Sequence, residues 1–217
     1  MAEALRRPGQ VLAGIGFLIA ATACFAVLDT TVKVVGAVVS VLVAVWFRYM
    51  FQAVAVTAVM LPVRGRSLLR TDHPRFQALR GVLLLSVSLI SFIALQFMPV
   101  GEFTAIIMVT PLAVTLLAAL FLKERVSVWR WLLVTGGFAG ALVVVRPGGQ
   151  LFGWASLLPL TMVFMYAWFQ ILTARMARTE DPMTMHFYTG WVGALVASLA
   201  LPFVWQAIPD MGTFALL

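Results

Sequence analysis

The sequence predicts an all-α, polytopic membrane helix bundle, and three observations carry that prediction. Of 217 residues, 63% are apolar and only 11% charged, with a mean hydropathy of +1.04. Soluble domains carry about 25% charged residues, so this chain has too little charge to cover the surface of a water-soluble enzyme or binding module. The apolar residues fall into seven runs near the roughly 20 residues that span a bilayer as a helix. The charges fall mostly between those runs: 15 Lys and Arg against 8 Asp and Glu give +7, in short clusters that read as topology signals rather than as a nucleic-acid surface.

Each run has its own boundary signals. The first, 11–35, follows Arg6 and Arg7 and stays apolar to Leu28 before meeting Asp29. It exceeds the roughly 7–15 residues of a signal-peptide core, so a retained helix is expected. The second, 39–63, closes at Pro62. A basic connection with Arg64, Arg66, Arg70 and Arg75 leads into the third, 76–98. The fourth, 102–122, opens on Glu102, has Pro111 inside it and ends beside Lys123, Glu124 and Arg125. The fifth, 128–145, carries Gly136 and Gly140 four apart, a spacing that permits close helix contact or dimerisation. The sixth, 152–176, contains Pro159, and the seventh covers 183–206.

Valine is frequent, which in water would favour strands. The runs are nevertheless longer than the roughly 9–11 residues of a membrane β-strand and show no two-residue alternation. A helix also satisfies every backbone polar group internally. Arg and Lys concentrate before the first run and in the second, fourth and sixth connections, whereas the opposite side receives only Lys33 and Arg146. That asymmetry predicts a cytoplasmic N-terminus and, after seven spans, a C-terminus on the far side. Residues 213–217 read as the start of a further apolar run.

An internal repeat is also expected. A run closing on Lys33, a short connection, Phe47 and a run ending at Pro62 return as a run closing on Arg175, a connection, Phe187 and a run ending at Pro202. The second hairpin begins five helices after the first. The second copy would therefore enter the membrane from the opposite side, the inverted arrangement common among secondary transporters.

The segment 94–148, "ALQFMPVGEFTAIIMVTPLAVTLLAALFLKERVSVWRWLLVTGGFAGALVVVRPG", resembles the EamA-type half of the drug/metabolite transporter superfamily. Its features are small residues opening the fourth helix, Pro111 within it, "FLKERVS" closing it, and Trp131 ahead of a glycine-rich fifth helix ending in "RPG". The resemblance extends to "CFAVLDTTVK" and "VWFRY" in the first hairpin and to "ILTARMARTEDP" in the second. It implies five-helix inverted repeats around a solute cavity, with 1–148 as the first repeat and 149–217 as an incomplete second. The expectation is seven of ten helices, either as a fragment or as a chain that a second copy or a partner completes. The opening hairpin is also similar to members that carry S-adenosylmethionine or riboflavin.

Charges inside apolar runs are costly and usually face a bundle interior or cavity. Asp29 and Lys33 lie four apart on one helical face. Arg48, about ten residues into the returning helix, falls at a similar depth to Asp29 at about 1.5 Å per residue. Asp29 and Arg48 either line the solute pathway, binding a polar or zwitterionic solute or coupling to protons, or pin the first hairpin as an ion pair while Lys33 snorkels to the interface. Glu102 complements the dipole at a helix start, and Glu124 with Arg125 forms an ion-pair cluster at a turn. Pro111 and Pro159 mid-helix permit kinks that could gate a cavity.

The sixth helix presents Met162, Tyr166, Gln170 and Thr173 as one stripe, whereas aligning the two hairpins at Lys33 and Arg175 brings Trp168 toward the cavity instead. Ser88, Ser91 and Gln96 on the third helix supply hydrogen bonds either to solute or to neighbouring helices. His73 and His186 have no ligand partner at metal spacing, so no metal and no cofactor is expected. Paired catalytic carboxylates, a His-rich motif and a G-x-S-x-G nucleophile are all missing, which argues against an enzyme. The reading is a bacterial inner-membrane carrier moving a small amino-acid-derived or nucleoside-like solute by alternating access. Its alternative is an assembly subunit or half-carrier, and no nucleic-acid partner is expected.

Overall fold

The computed structural model describes residues 8–36, 39–122, 127–145 and 153–204. Within them the chain forms eight α-helices: α1 (Pro8–Val35), α2 (Val41–Arg64), α3 (Pro74–Phe97), α4 (Val100–Ile107), α5 (Thr110–Phe121), α6 (Val128–Val145), α7 (Leu157–Met176) and α8 (Pro182–Val204). Short 3-10 segments follow α2 and precede α7, and there is no strand among the described residues. Five stretches are long and apolar enough to cross a membrane: Gly14–Val35, Val41–Leu69, Pro74–Phe97, Val100–Phe121 and Trp154–Met176. The protein is a helical membrane bundle.

The fourth apolar run is two helices rather than one bent helix. Proline has no N–H to give the carbonyl four residues earlier. With Pro111 near the start of α5, the chain closes α4 at Ile107 and turns through Met108 and Val109, whose N–H groups bond the carbonyls of Thr104 and Ile106 at 3.1 and 3.0 Å. Pro159 behaves differently from the expected mid-helix kink. The 3-10 turn Trp154–Ser156 ends the preceding segment, so Pro159 falls in the first turn of α7, where a missing N–H leaves no intrahelical bond unmade.

The core is organised around a seam between α2 and α8. The Tyr49 ring lies over Gly193, filling the space a Cβ there would need, and the backbone of Ala53 comes within 3.2 Å of a Cβ placed on Gly190. Trp46 Nε1 donates to Ser198 Oγ at 2.7 Å and Trp191 Nε1 to Thr57 Oγ1 at 3.0 Å. The start of α2 thus meets the end of α8, and the two run antiparallel. Helix α3 packs against both α7 and α8, and its Gly81 backs onto Val192. A smaller cluster joins α5 to α7 through Ala113, Leu117, Ala118, Val163, Ala167 and Ile171.

Contacts at the helix ends fix their directions. Lys33 at the end of α1 reaches Met98 after α3, and Phe97 packs on Trp154 ahead of α7. At the opposite end, Arg64 meets Asp181 and the Tyr188 hydroxyl donates to the Leu69 carbonyl at 2.9 Å. Helix α1 therefore finishes where α7 starts, and the hairpins α1–α2 and α7–α8 enter the bundle from opposite ends. Gly136 and Gly140 mediate no close helix contact here: a Cβ on either would meet nothing within 4 Å.

Candidate functional site

A cleft of about 570 Å³ opens between α1, α2 and α3. Its walls are mostly apolar: Val27, Leu28 and Val32 from α1, Phe51 from α2 and Phe92 from α3. Among the described residues Arg48 is the only charged one lining it, beside the polar Cys24 and Thr31. Helical spacing places Arg48 one turn after Ala44, another lining residue, so both present the same face of α2. The guanidinium is half-buried, and among the described residues no carboxylate or other acceptor pairs with it. An intramembrane cation is costly without a partner, and the side chain of Asp29, the partner expected from the sequence, lies outside the described residues.

At the bundle end bearing Arg64, Arg66, Arg70 and Arg75, hereafter the basic end, a second set of polar groups is fully engaged. Glu180, in the α7–α8 turn, is buried. Its Oε1 accepts from the Thr71 hydroxyl at 2.8 Å, from the N–H groups of Asp72 and His73 at 2.9 and 3.1 Å, and lies 3.3 Å from His73 Nδ1. Gln77 Nε2 donates to its Oε2 at 3.4 Å. Burial alone would raise the carboxyl's pKa, but the donors from Thr71, His73 and the Asp72 backbone outweigh it and hold Glu180 below the ordinary carboxylate value.

Gln77 passes this network to Arg80. Arg80 Nη1 donates to Gln77 Oε1 at 3.4 Å and to the Met185 carbonyl at 2.8 Å, while Nε donates to Thr173 Oγ1 at 2.8 Å. The guanidinium also sits 5.0 Å from the centre of the Phe169 ring, a cation–π contact. Beside this network Arg64 and Asp181 pair at 2.6 Å, and Asp181 Oδ1 caps α8 by accepting from the N–H groups of Met183 and Thr184. The Arg64 hydrogen bond, with those backbone donors, lowers the Asp181 pKa against its desolvation. The α2–α3 connection is thus latched to the α7–α8 turn.

The described residues thus form a membrane bundle with a mostly apolar cleft at its side and a hydrogen-bonded closure at one end. The family model for EamA-like transporters matches residues 12–146. This chain belongs to the EamA-like transporter family. Among curated relatives, this EamA chain is 29% identical over 174 residues to a riboflavin transporter of Brucella anthropi, covering 79% of this chain and 61% of that one. It is 31% identical over 159 residues to a riboflavin transporter of Rhizobium johnstonii, covering 70% and 50%. It is 27% identical over 207 residues to an S-adenosylmethionine uptake transporter of Rickettsia bellii, covering 94% and 69%. The chain therefore spans between half and two thirds of the length of the two riboflavin transporters. No solved structure matches it.

The sequence-derived candidates of this EamA chain scatter over the bundle. Arg48 lies in the cleft; Asp29 is on α1, but its side chain falls outside the described residues, as do Glu124 and Arg125. Lys33 does not snorkel freely: its Nζ donates to the Met98 carbonyl at 2.8 Å, just past the end of α3, where a cation complements the helix dipole. Glu102 sits in the first turn of α4, as a dipole partner should. Ser91 is half-buried on α3 and does not line the cleft, and the Gln96 side chain packs on the backbone of Gly36.

The α7 candidates lie away from Arg48. Tyr166 is half-buried and stacks on Phe169, with ring centres 5.8 Å apart. Trp168 faces Phe121 at 4.5 Å, and Gln170 is exposed. Thr173, from the same predicted stripe, serves Arg80 instead. Ser88 bonds the Tyr49 hydroxyl at 3.0 Å, the helix-to-helix role. Sequence reasoning passed over Glu180, Gln77 and Arg80. One signal was present, since Arg80 is a charge inside the third apolar run.

Proposed function

We propose that this protein is a secondary transporter that moves a small organic metabolite across the bacterial inner membrane by alternating access. The observation that carries the reading is Arg48, a half-buried guanidinium with no described partner in a mostly apolar cleft. Such a site takes a solute with an apolar or planar body and one acceptor group, such as a carboxylate or a hydroxylated chain. An amino-acid-derived or nucleoside-like solute fits, and the relatives named for riboflavin and S-adenosylmethionine supply the first two compounds to try.

The N-terminus is cytoplasmic in this reading, so the Glu180 latch closes the cytoplasmic end while the cleft flanks the other. Support comes from the basic residues at the latch end and from the opposite entry of the two hairpins. The same entry supports 1–148 as a first repeat and 149–217 as the partial second. Two substrate roles follow for the first hairpin: Arg48 holds the acceptor group, and Asp29 either faces a cationic group or takes part in proton coupling. Pro111 separates α4 from α5, giving the fourth span a joint at which a cavity wall can move.

Counterflow of radiolabelled S-adenosylmethionine and riboflavin into proteoliposomes tests the reading. Exchange by the native chain that is lost in Arg48→Gln with insertion unchanged is the expected result; equal counterflow by both proteins removes Arg48 from the pathway. A half-carrier is the second reading, favoured by the uncovered faces of α6, where Trp129 and Leu133 are exposed beside Gly136 and Gly140. It predicts counterflow only when a second polypeptide is co-reconstituted.

A further inference from the structure

A second cavity, about 170 Å³, lies at the basic end beside the latch but outside its hydrogen bonds. It is lined by His73, Phe76, Leu172, Arg175, Met176 and Thr179. The lining is part apolar and part polar. Phe76 comes from the first turn of α3, and Leu172 and Met176 from the last turns of α7, so the apolar part belongs to the bilayer-spanning segments. His73 and Thr179 sit in the connections beyond them, and Arg175 in the final turn of α7.

Arg175 is the fixed charge of the lining, and the basic side chains around it outnumber the exposed carboxylate of Asp72. Glu180 is taken up by Thr71, the His73 edge and Gln77, and Asp181 by Arg64 and the start of α8. Among the described residues no carboxylate pairs with Arg175. With Nδ1 held at Glu180, His73 keeps Nε2 as its remaining polar atom. Exposed Arg70, Arg75 and Arg178 add to the same field. A pocket with cationic groups at the rim and an apolar floor at the edge of a membrane span matches one chemistry: a phosphate diester esterified to an acyl glycerol.

We infer that this cavity binds the headgroup of an anionic phospholipid, with Arg175 and His73 holding the phosphate while Phe76, Leu172 and Met176 receive the glycerol and first acyl carbons. The inference rests on the reading that the basic end faces the cytoplasmic leaflet, where anionic lipids attract juxtamembrane Arg. Because His73 also contacts Glu180, an occupied site favours the closed latch.

The test uses the full chain purified in neutral detergent, with phosphatidylglycerol, phosphatidylcholine and inorganic phosphate as probes, read by native mass spectrometry and thermal unfolding. Phosphatidylglycerol is expected to stay bound and raise the unfolding temperature, while phosphatidylcholine and phosphate do neither. Arg175→Gln should lower phosphatidylglycerol retention about fivefold, the loss of one cationic contact at a charged membrane surface. Leu172→Trp, which fills the cavity and keeps every charge, should lower it too, whereas Arg66→Gln, outside the cavity, should not. Equal loss in Arg66→Gln, equal retention of both lipids, or the same stabilisation by inorganic phosphate overturns the lipid site. Counterflow measured on the same preparation reports the carrier reading separately, so an inactive carrier that still discriminates the lipids leaves the site standing.

Discussion

Arg48 and Arg80 are both guanidiniums inside apolar helices, yet their surroundings are opposite. Arg80 is buried and spends its donors on Thr173, Gln77 and Met185, with Phe169 covering one face. Arg48 stands in an open cleft of about 570 Å³ and meets no described acceptor. The difference separates structure from function on physical grounds. A satisfied intramembrane charge holds helices together, and its loss should be read in stability. In the proposed function Arg48 is instead held for an entering solute, and its loss should be read in transport.

Breaking the latch should produce the largest effect. Glu180→Ala leaves the donors of Thr71, Asp72, His73 and Gln77 without their shared acceptor, and breaking a buried charged network costs about 3 kcal/mol. Thermal unfolding in detergent should show that loss; an unchanged unfolding temperature would mean that Arg80 and Gln77 hold the end closed without the carboxylate. Gly193→Val should cost about 2 kcal/mol, because the added carbons must displace the Tyr49 ring and overpacking carries that penalty.

Arg48→Gln lies at the other pole of the comparison. Its stability change should stay within about 0.5 kcal/mol, as for substitutions away from paired groups, while uptake collapses. A large loss of stability with uptake retained would erase the contrast between the two arginines.

Acid should weaken the latch. Glu180 and Asp181 both have folded pKa values below their unfolded ones. Their contribution is therefore complete above the ordinary carboxylate range and is lost as pH falls through the folded values. The slope of unfolding temperature against pH in that acidic window should be shallower in Asp181→Asn, and Arg48→Gln should leave it unaltered. The smallest effect has the opposite sign. Thr110 Oγ1 is buried with no hydrogen-bond partner among the described residues, so Thr110→Val should stabilise by about 1 kcal/mol. A destabilised valine variant would reveal a partner for that hydroxyl.

Much of the architecture could be read from the chain. Lipid leaves helices as the economical backbone, so five of the seven apolar runs return as membrane-length stretches among the described residues, while Pro111, expected to kink the fourth, instead separates α4 from α5. Pro159 misled because its consequence depends on where the helix begins, and a 3-10 turn moves that start to Leu157. Arg48 was visible as a charge at membrane depth. The latch was hidden because Gln77 and Glu180 are 103 residues apart, and nothing local in either segment announces that they meet. The α7 stripe shows the same limit: periodicity groups Tyr166, Gln170 and Thr173, but only tertiary packing assigns Thr173 to Arg80.

The glycine-lined meeting of α2 and α8 also constrains how the molecule can move. With Tyr49 wedged over Gly193 and indole bonds on either side, those two helices have no slack to slide past each other or to part. They form a fulcrum. In the proposed carrier, the wall that moves around this fixed axle would be the sparsely packed α1 and the jointed α4 and α5, which border the cleft side rather than the latch.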